Sequence, residues 1–226
     1  MKQTKAKPSR QARMNKLPAK PFPMPETTPI NALEVPVSAY LHSRKKRLLD
    51  LVFTLIVLPG IILLLSFSAL GIILTMGFPV IFAQNRVGLN GKVFMIYKLR
   101  TLKRKASNKT GISHTNGDIT PLGKLMRLFR FDELPQVWNI LLGEMSWVGP
   151  RPEVPYYTNK YTELNPEFRN RLLALPGITG LAQLNNPNAT PNDNPAKLGF
   201  DLEYIRTASL YGDLKILFNT FFLLWK

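Results

Sequence analysis

Residues 51–85 read LVFTLIVLPGIILLLSFSALGIILTMGFPVIFAQN, and none of these 35 side chains is charged. At ~1.5 Å per residue, a helix of that length would measure roughly 52 Å, against a hydrocarbon core of ~30 Å. The stretch is therefore too long for one upright membrane span. Pro59, followed by Gly60, lacks the amide that a helix needs and is predicted to kink or break it. The limb before it, Leu48 to Leu58, would reach about half way through a bilayer, at ~16 Å.

Basic clusters flank this stretch on both sides. Arg44-Lys-Lys-Arg47 precedes it, and seven Lys and Arg follow it within residues 86–105. Because positively charged flanks tend to stay in the cytoplasm, both ends are predicted to lie on the cytoplasmic side. This favours a re-entrant helix, broken at Pro59, that enters and leaves the same membrane face over residues 44–85. A tilted span is the alternative, whereas a core helix of a soluble protein is normally shorter.

Charge points to a polyanionic partner. The chain carries 30 Lys and Arg against 14 Asp and Glu, a formal net charge of +16, which favours nucleic acid, anionic lipid or a phosphorylated substrate. Residues 1–47 hold eleven of the basic residues but only two acidic ones. Their proline-rich sequence predicts a disordered basic tail over residues 1–43 that could contact acidic lipid. With no cysteine, disulfides and thiolate metal sites are excluded.

The remaining sequence, residues 86–226, predicts an α+β domain that is mainly helical. Extended segments on either side of the turn Gly88-Leu-Asn-Gly91 predict a short β-hairpin. Thr120-Pro121 predicts the start of a helix ending near Arg130, and a second helix is expected from Asp132 to Gly143. Further helices are expected over residues 154–175, with a break at Pro166, and over residues 213–226. The polar, turn-rich residues 103–118 and 185–195 are predicted loops.

Two adjacent carboxylates, Asp132 and Glu133, lie at one of these helix starts, close to Arg127 and Arg130. The helix start and the two cations favour the ionised form, so we expect Asp132 to be charged at neutral pH. Carboxylates without His or Cys suit Mg²⁺, which proteins often hold with one or two carboxylates and substrate phosphates. One carboxylate could then attack a phosphorus while the other binds metal. The structural alternative is a helix cap and a partner for the helix dipole.

The turn Gly149-Pro-Arg-Pro152 places Arg151 between two prolines that stiffen the backbone. A guanidinium held in this way could bind a phosphate or stack on a base. Lys98 and Arg100 lie on one face of a predicted strand and could contact the same anion. Taken one at a time, an ordinary loop and solvated strand charges are the simpler interpretations.

A set of short segments follows in a fixed order along the chain: KRLLD (46–50), the apolar stretch, QNRVG (84–88), YKLRT (97–101), DELPQ (132–136), GEMS (143–146), VGPRP (148–152) and PGITGLAQ (176–183). Together they resemble the bacterial sugar transferase family, the monotopic polyprenyl-phosphate phosphoglycosyl transferases. The resemblance runs from about residue 44 to the end of the sequence. Each segment alone is short, but the ordered set is highly specific.

The resemblance implies a reaction in two steps. Asp132 would attack the β-phosphorus of a UDP-sugar and expel UMP, after which undecaprenyl phosphate takes the phosphosugar from the aspartate. Glu133 would help Asp132 to bind Mg²⁺ or would move a proton, Arg127 would hold phosphate, and Arg151 would contact the nucleotide. The other substrate-binding residues implied are Arg86, Lys98, Arg100, Pro150, Pro152 and Gln183.

The same resemblance implies an enzyme at the cytosolic face of the bacterial inner membrane. It would contact membrane lipid, bind no nucleic acid and could form a homo-oligomer. Two non-catalytic alternatives are a membrane-anchored scaffold for glycan-assembly enzymes and a basic nucleic-acid-binding protein, and the long uncharged stretch argues against the second.

The chain departs from the family pattern at two places. Its helix break is Leu58-Pro59-Gly60, whereas the family commonly has Ser-Pro somewhat later. After Gln183 the family often reads Val-Asn-Gly-Arg, but this chain has Leu184-Asn-Asn-Pro187. The second departure removes a glycine and an arginine, and is expected to alter contacts with the sugar or the nucleotide.

Overall fold

A computed structural model of the chain describes residues 35–103, 119–187 and 193–223. The helices in these ranges are α1 (Arg44–Met76), α2 (Pro121–Leu128), α3 (Val137–Leu141), α4 (Pro155–Leu164), α5 (Leu181–Asn185), α6 (Asn194–Thr207) and α7 (Leu210–Leu223). The strands are β1 (Ile81–Val87), β2 (Val93–Leu99), β3 (Ser146–Val148) and β4 (Gly177–Thr179). Short 3-10 helices occupy Ala39–His42, Leu89–Gly91, Phe131–Gln136 and Pro166–Leu173. The predicted α+β class, mainly helical, is confirmed.

The apolar stretch forms one helix, α1, of 33 residues with Pro59 inside it. A division of the stretch into two helices at Pro59 is therefore not confirmed, and the hydrogen-bonded helix continues past the proline. Its buried side chains are Lys46, Asp50, Thr54, Ile61 and Ile72, at spacings that place them on one face. That face lies on the domain, while most other side chains of α1 are exposed. The helix is long and apolar enough to cross a membrane.

Both ends of α1 are bound to the same domain. At its start, Lys46 donates to the backbone oxygen of Val148, and Asp50 accepts from the hydroxyl of Ser146. At its end, Ile72 packs with Leu99 and Met126. Both ends of α1 therefore contact the part of the protein that carries strands β2 and β3.

Residues 35–43 correct the predicted tail boundary, because they pack on the domain. The hydroxyl of Ser38 donates to the backbone oxygen of Ala208, and the hydroxyl of Tyr40 donates to Asp213. Leu41 is buried in the main apolar cluster. The rest of the predicted tail, residues 1–34, lies outside the described residues.

The predicted hairpin is confirmed as an antiparallel pair, in which Ile81 lies opposite Leu99 and Val87 opposite Val93. Asn90 and Gly91 both have positive φ in the connecting turn, a conformation that asparagine and glycine favour. A second, unpredicted sheet pairs β3 with β4 in parallel. These two strands of three residues each are too short for alternation to reveal them.

The predicted helices are largely confirmed, with shifted ends. Pro166 separates α4 from a 3-10 helix, and α7 starts at Leu210, three residues before the expected position. The helix expected from Asp132 is divided into a 3-10 helix and α3. Gly143, the predicted helix end, has a positive φ, which is common for a glycine that follows a helix. Residues 104–118, 188–192 and 224–226 lie outside the described residues, so most of the first predicted loop, the middle of the second and the end of the last helix are not described.

Candidate active site

The two carboxylates lie on the 3-10 helix Phe131–Gln136, which follows α2 directly. Arg130 begins this helix with φ 56°, a left-handed conformation that is uncommon outside glycine. The helix packs on strand β2, which carries Lys98. Lys98 and Glu133 are 35 residues apart in the sequence. A strand and a later turn of the chain therefore form one site together.

Glu133 is buried and held by two cations. Its Oε1 lies 2.6 Å from Nζ of Lys98, and it also accepts from both terminal nitrogens of Arg151. Burial alone would raise the pKa of Glu133, but Arg151 and Lys98 hold it well below its usual range. Both oxygens of Glu133 are thus occupied by cations in the protein itself.

Asp132 has a different environment. It is partly exposed, and within the described residues its carboxylate has neither an ion pair nor a hydrogen bond. Burial and the neighbouring charge of Glu133 raise the pKa of Asp132, while Lys98, Arg127 and Arg151 act against that shift. The pKa of Asp132 is therefore shifted in the direction opposite to the one predicted from the helix start and the arginines. Burial and the charge of Glu133 have the larger effect. Asp132 is the carboxylate of the pair that is available to a reactant.

The turn that carries Arg151 is fixed by close backbone packing. A Cβ on Gly149 would lie 2.2 Å from the backbone oxygen of Leu175, and one on Gly177 would lie 2.1 Å from the backbone nitrogen of Gly149. Only glycine fits at either position. Pro150 and Pro152 are both buried beside Arg151. The segment PGITG thus packs directly against the turn GPRP, which explains why both belong to one site.

A buried ion-pair network supports the same turn from the other side. Arg171 donates to the backbone oxygen of Arg151, and its Nη2 lies 2.7 Å from Oδ2 of Asp201. Nζ of Lys197 lies 3.3 Å from Oε1 of Glu153. None of these four charged residues (Glu153, Arg171, Lys197 and Asp201) was identified from the sequence. Their pairing joins distant segments, and their spacing in the sequence has no recognisable pattern.

The structure brings some of the predicted substrate-binding residues together and separates others. Two of them, Lys98 and Arg151, bind Glu133 directly. Pro150 and Pro152 flank Arg151 in the turn that carries it. Arg127 is exposed, donates through Nε to the hydroxyl of Thr101, and lies close enough to Asp132 to lower its pKa.

Arg86 and Arg100 are bound to backbone oxygens instead. Arg86 donates to Pro152, and burial lowers the pKa of Arg86 to about 10. Arg100 donates to the oxygens of Met76 and Gly77 at the end of α1, both at 2.6 Å. Arg86 therefore holds the turn that presents Arg151, and Arg100 holds the end of the apolar helix.

Gln183 lines a cavity whose wall also includes Arg130 and Arg151. Asn186 and Pro187, the two residues that replace the family's Gly-Arg, both line the same cavity. Nη2 of Arg130 donates to the backbone oxygen of Pro187 at 3.2 Å.

The residues present suit a divalent cation in part. Within the described ranges no group of three or more His, Cys, Asp or Glu could hold a metal ion. Asp132 offers a free carboxylate, whereas both oxygens of Glu133 are engaged by Lys98 and Arg151. The donor set therefore fits Mg²⁺ bound by Asp132 with oxygens of a substrate phosphate, which is a usual arrangement for this ion. Glu133 could bind the ion only if Lys98 or Arg151 first released one of its carboxylate oxygens.

Comparison with known proteins gives consistent matches. The family model for bacterial sugar transferases matches residues 41–226. A UDP-glucose:undecaprenyl-phosphate glucose-1-phosphate transferase of Caulobacter vibrioides is 38% identical, over 78% of this chain and 68% of its own length. A UDP-N-acetylgalactosamine-undecaprenyl-phosphate N-acetylgalactosaminephosphotransferase of Aeromonas hydrophila is 35% identical, over 83% of this chain and 44% of its own length. An exopolysaccharide production protein of Rhizobium leguminosarum is 37% identical, over 77% of this chain and 92% of its own length.

Proposed function

This chain belongs to the bacterial sugar transferase family, and from that membership we propose that it transfers a phosphosugar from a UDP-sugar to undecaprenyl phosphate. The observation that carries the proposal is the unequal pair of carboxylates. Asp132 is free and partly exposed, while its neighbour Glu133 holds Lys98 and Arg151 in place beside it. Such a site offers one nucleophile among cations that can neutralise a phosphate.

In the first step, an oxygen of Asp132 forms a bond with the β-phosphorus of the UDP-sugar. The bond from that phosphorus to the bridging oxygen breaks, and UMP leaves with the electron pair. Attack by a carboxylate on a phosphorus bearing negative oxygens requires those charges to be neutralised. In this proposal Arg127 and Arg151 contact the phosphates, and Lys98 adds positive charge, which is supported by the effect of all three cations on the pKa of Asp132.

In the second step, a phosphate oxygen of undecaprenyl phosphate attacks the same phosphorus and the Asp132 carboxylate is released. The product is an undecaprenyl diphosphate sugar, which would begin the assembly of a membrane glycan such as an exopolysaccharide, an O-antigen or a glycoprotein glycan. Mg²⁺, held by Asp132 and the substrate phosphates, would supply further neutralisation of phosphate charge.

The lipid substrate requires the site to lie at a membrane surface. We propose that α1 is a re-entrant anchor, so that the enzyme acts at the cytosolic face of the bacterial inner membrane. The proposal is supported by the contacts of both ends of α1 with one domain and by its exposed apolar side chains, including Leu55, Ile62 and Phe67.

Release of UMP tests this function directly. The purified protein would be mixed with undecaprenyl phosphate, Mg²⁺ and a panel of UDP-sugars, which would also identify the sugar. We expect release by the wild type and by Glu163→Gln, which removes an exposed carboxylate elsewhere, but none by Asp132→Asn. Turnover at the wild-type rate in Asp132→Asn would refute the assigned nucleophile. A non-catalytic scaffold would release no UMP with any sugar.

A further inference from the structure

A cavity adjoins the carboxylate site, and Arg151 is common to both. On one side the guanidinium of Arg151 binds Glu133, and on the other it forms part of the cavity wall. Arg130, which precedes the carboxylate pair in the sequence, also lines the cavity. A substrate whose β-phosphorus lies at Asp132 can therefore extend past Arg151 into this space.

Three residues of that wall have buried polar atoms without a hydrogen-bond partner among the described residues: Arg171 at Nε, Asp201 at Oδ2, which is ion-paired with Arg171, and Gln183. Gln183 is the uncharged one of the three, and it combines an unpaired donor with an unpaired acceptor. Its side chain is 8% exposed, and both its amide nitrogen and its amide oxygen are buried with no hydrogen-bond partner in the part of the chain that the structure describes. A buried polar group without a partner lowers stability, because it loses its hydrogen bonds to water on folding and gains none in return. The amide lies beside the junction of the two glycine turns, since a Cβ on Gly180 would meet its Oε1 at 2.9 Å. The protein thus holds an unsatisfied donor and acceptor next to its substrate site.

Three of the four cations in the cavity wall are paired with carboxylates, and among the described residues Arg130 is the one without an ion pair. Arg171 is paired with Asp201, and Lys197 is paired with Glu153. The unsatisfied groups on the amide are a donor and an acceptor in one plane. A ligand that satisfies both must present an acceptor and a donor side by side, as the edge of a uracil ring does with a carbonyl oxygen and the N3–H. Guanidinium planes such as those of Arg130 and Arg151 can stack on such a ring.

We propose that this cavity binds the uracil of the UDP-sugar and that the Gln183 amide reads its edge, accepting from N3–H and donating to a carbonyl oxygen. This inference rests on the proposed function and assigns one part of the substrate to one part of the site. Gln183 is then a determinant of nucleotide specificity and makes no contact with the transferred sugar.

The test separates the base from the rest of the nucleotide. Equilibrium affinities for UMP and for ribose 5-phosphate, which lacks the base, would be measured for the wild type, Gln183→Met and Asn185→Ala. Asn185→Ala is the matched control, because Asn185 is on the same helix but exposed, and within the described residues its side chain donates to the backbone oxygen of Leu181 alone. We expect Gln183→Met to weaken UMP binding ~10-fold or more and to leave ribose 5-phosphate unchanged, with no change in the control.

Steady-state kinetics give a second readout. If the amide contacts the base, Gln183→Met raises KM by the same factor for every UDP-sugar that the enzyme accepts. A changed preference between two UDP-sugars, with UMP affinity unaltered, would place the sugar in the cavity and overturn the proposal. Equal loss of UMP and ribose 5-phosphate would also overturn it.

Stability distinguishes a binding role from a structural one. Because the amide has no hydrogen-bond partner among the described residues, Gln183→Met is expected to keep or raise the midpoint of thermal unfolding. A lowered midpoint together with unchanged UMP affinity would show that Gln183 is structural. If the wild type itself does not bind UMP, the proposed function fails, which is a separate outcome from failure of Gln183→Met to alter that binding.

Discussion

Lys46 and Asp213 form an ion pair inside the protein, with 2.6 Å between Nζ and Oδ2. Lys46 is 3% exposed and Asp213 is fully buried. Asp213 also accepts hydrogen bonds from the hydroxyls of Tyr40 and Tyr204, so three donors converge on one carboxylate. The pair joins the start of α1 to α7, and it fixes the apolar helix on the domain that carries Asp132.

Loss of one member of this pair should destabilise the protein strongly. Lys46→Met leaves Asp213 buried without its cation, and removal of one partner of a buried pair typically costs about 3–5 kcal/mol. We expect a clear fall in the midpoint of thermal unfolding in detergent. Lys45→Met removes an exposed lysine one residue earlier and should change the midpoint little. Equal midpoints for the two variants would show that the pair contributes nothing to stability.

Asp132→Asn should be more stable than the wild type at neutral pH. The pKa of Asp132 is raised in the folded protein above its ordinary value of 3.8, so ionisation of this group opposes folding. That penalty is absent below the ordinary pKa, grows as pH rises towards the folded pKa, and is constant above it.

The measurement for Asp132→Asn is the unfolding midpoint of both proteins from acid to neutral pH. We expect the two curves to converge in acid and the variant to lie higher at pH 7. A variant that is less stable at pH 7 would show that the charge of Asp132 is stabilising. Such a trade of stability for activity is common at catalytic residues.

Arg100 is expected to act on the structure and not on the substrate. Its hydrogen bonds to Met76 and Gly77 satisfy carbonyl oxygens at a helix end, where a cation is also favoured by the helix dipole. Arg100→Gln should therefore lower stability by about 1.5–3 kcal/mol while leaving the affinity for UMP unchanged. Lys103→Gln, at an exposed lysine nearby, is the control. Weakened UMP binding with an unchanged unfolding midpoint would instead support the sequence-based prediction of a substrate contact.

Both flanks of α1 should be accessible from the same side of the membrane. The chain has no cysteine, so single cysteines can be introduced without a background. His42→Cys and Lys92→Cys place thiols at exposed positions before and after the helix. We expect a membrane-impermeant reagent to label both in inside-out vesicles and neither in intact cells. Labelling of the two positions from opposite faces would reject the re-entrant anchor in favour of a span.

Local signals in the sequence predicted much of the fold. Thr120 and Pro121 mark a helix start, Asn90 and Gly91 mark a hairpin turn, and Pro166 marks a break, because each acts through its own backbone geometry. Pairing of β3 with β4 was missed, since it depends on Gly149 and Gly177, whose close approach is visible only in three dimensions.

Candidate residues of the site could also be predicted where the residue type itself suggests the role. Asp132, Glu133 and Arg151 were identified, and the structure places them together. The partners of charged residues were not predictable, because a sequence does not show whether an arginine faces a ligand or a carbonyl oxygen. Arg86 and Arg100, for example, donate to backbone oxygens. The buried pair of Arg171 and Asp201 has no recognisable pattern in the sequence that would predict it.

The pairing of Lys46 with Asp213 also constrains how the protein is made. The two residues are 167 positions apart, so the lysine at the start of the apolar helix emerges from the ribosome long before its carboxylate exists. Until then the carboxylate nearest to the ammonium is that of Asp50, one turn later on the same helix, at 3.9 Å. The contact between the start of α1 and the domain therefore cannot be completed before α7 has been synthesised.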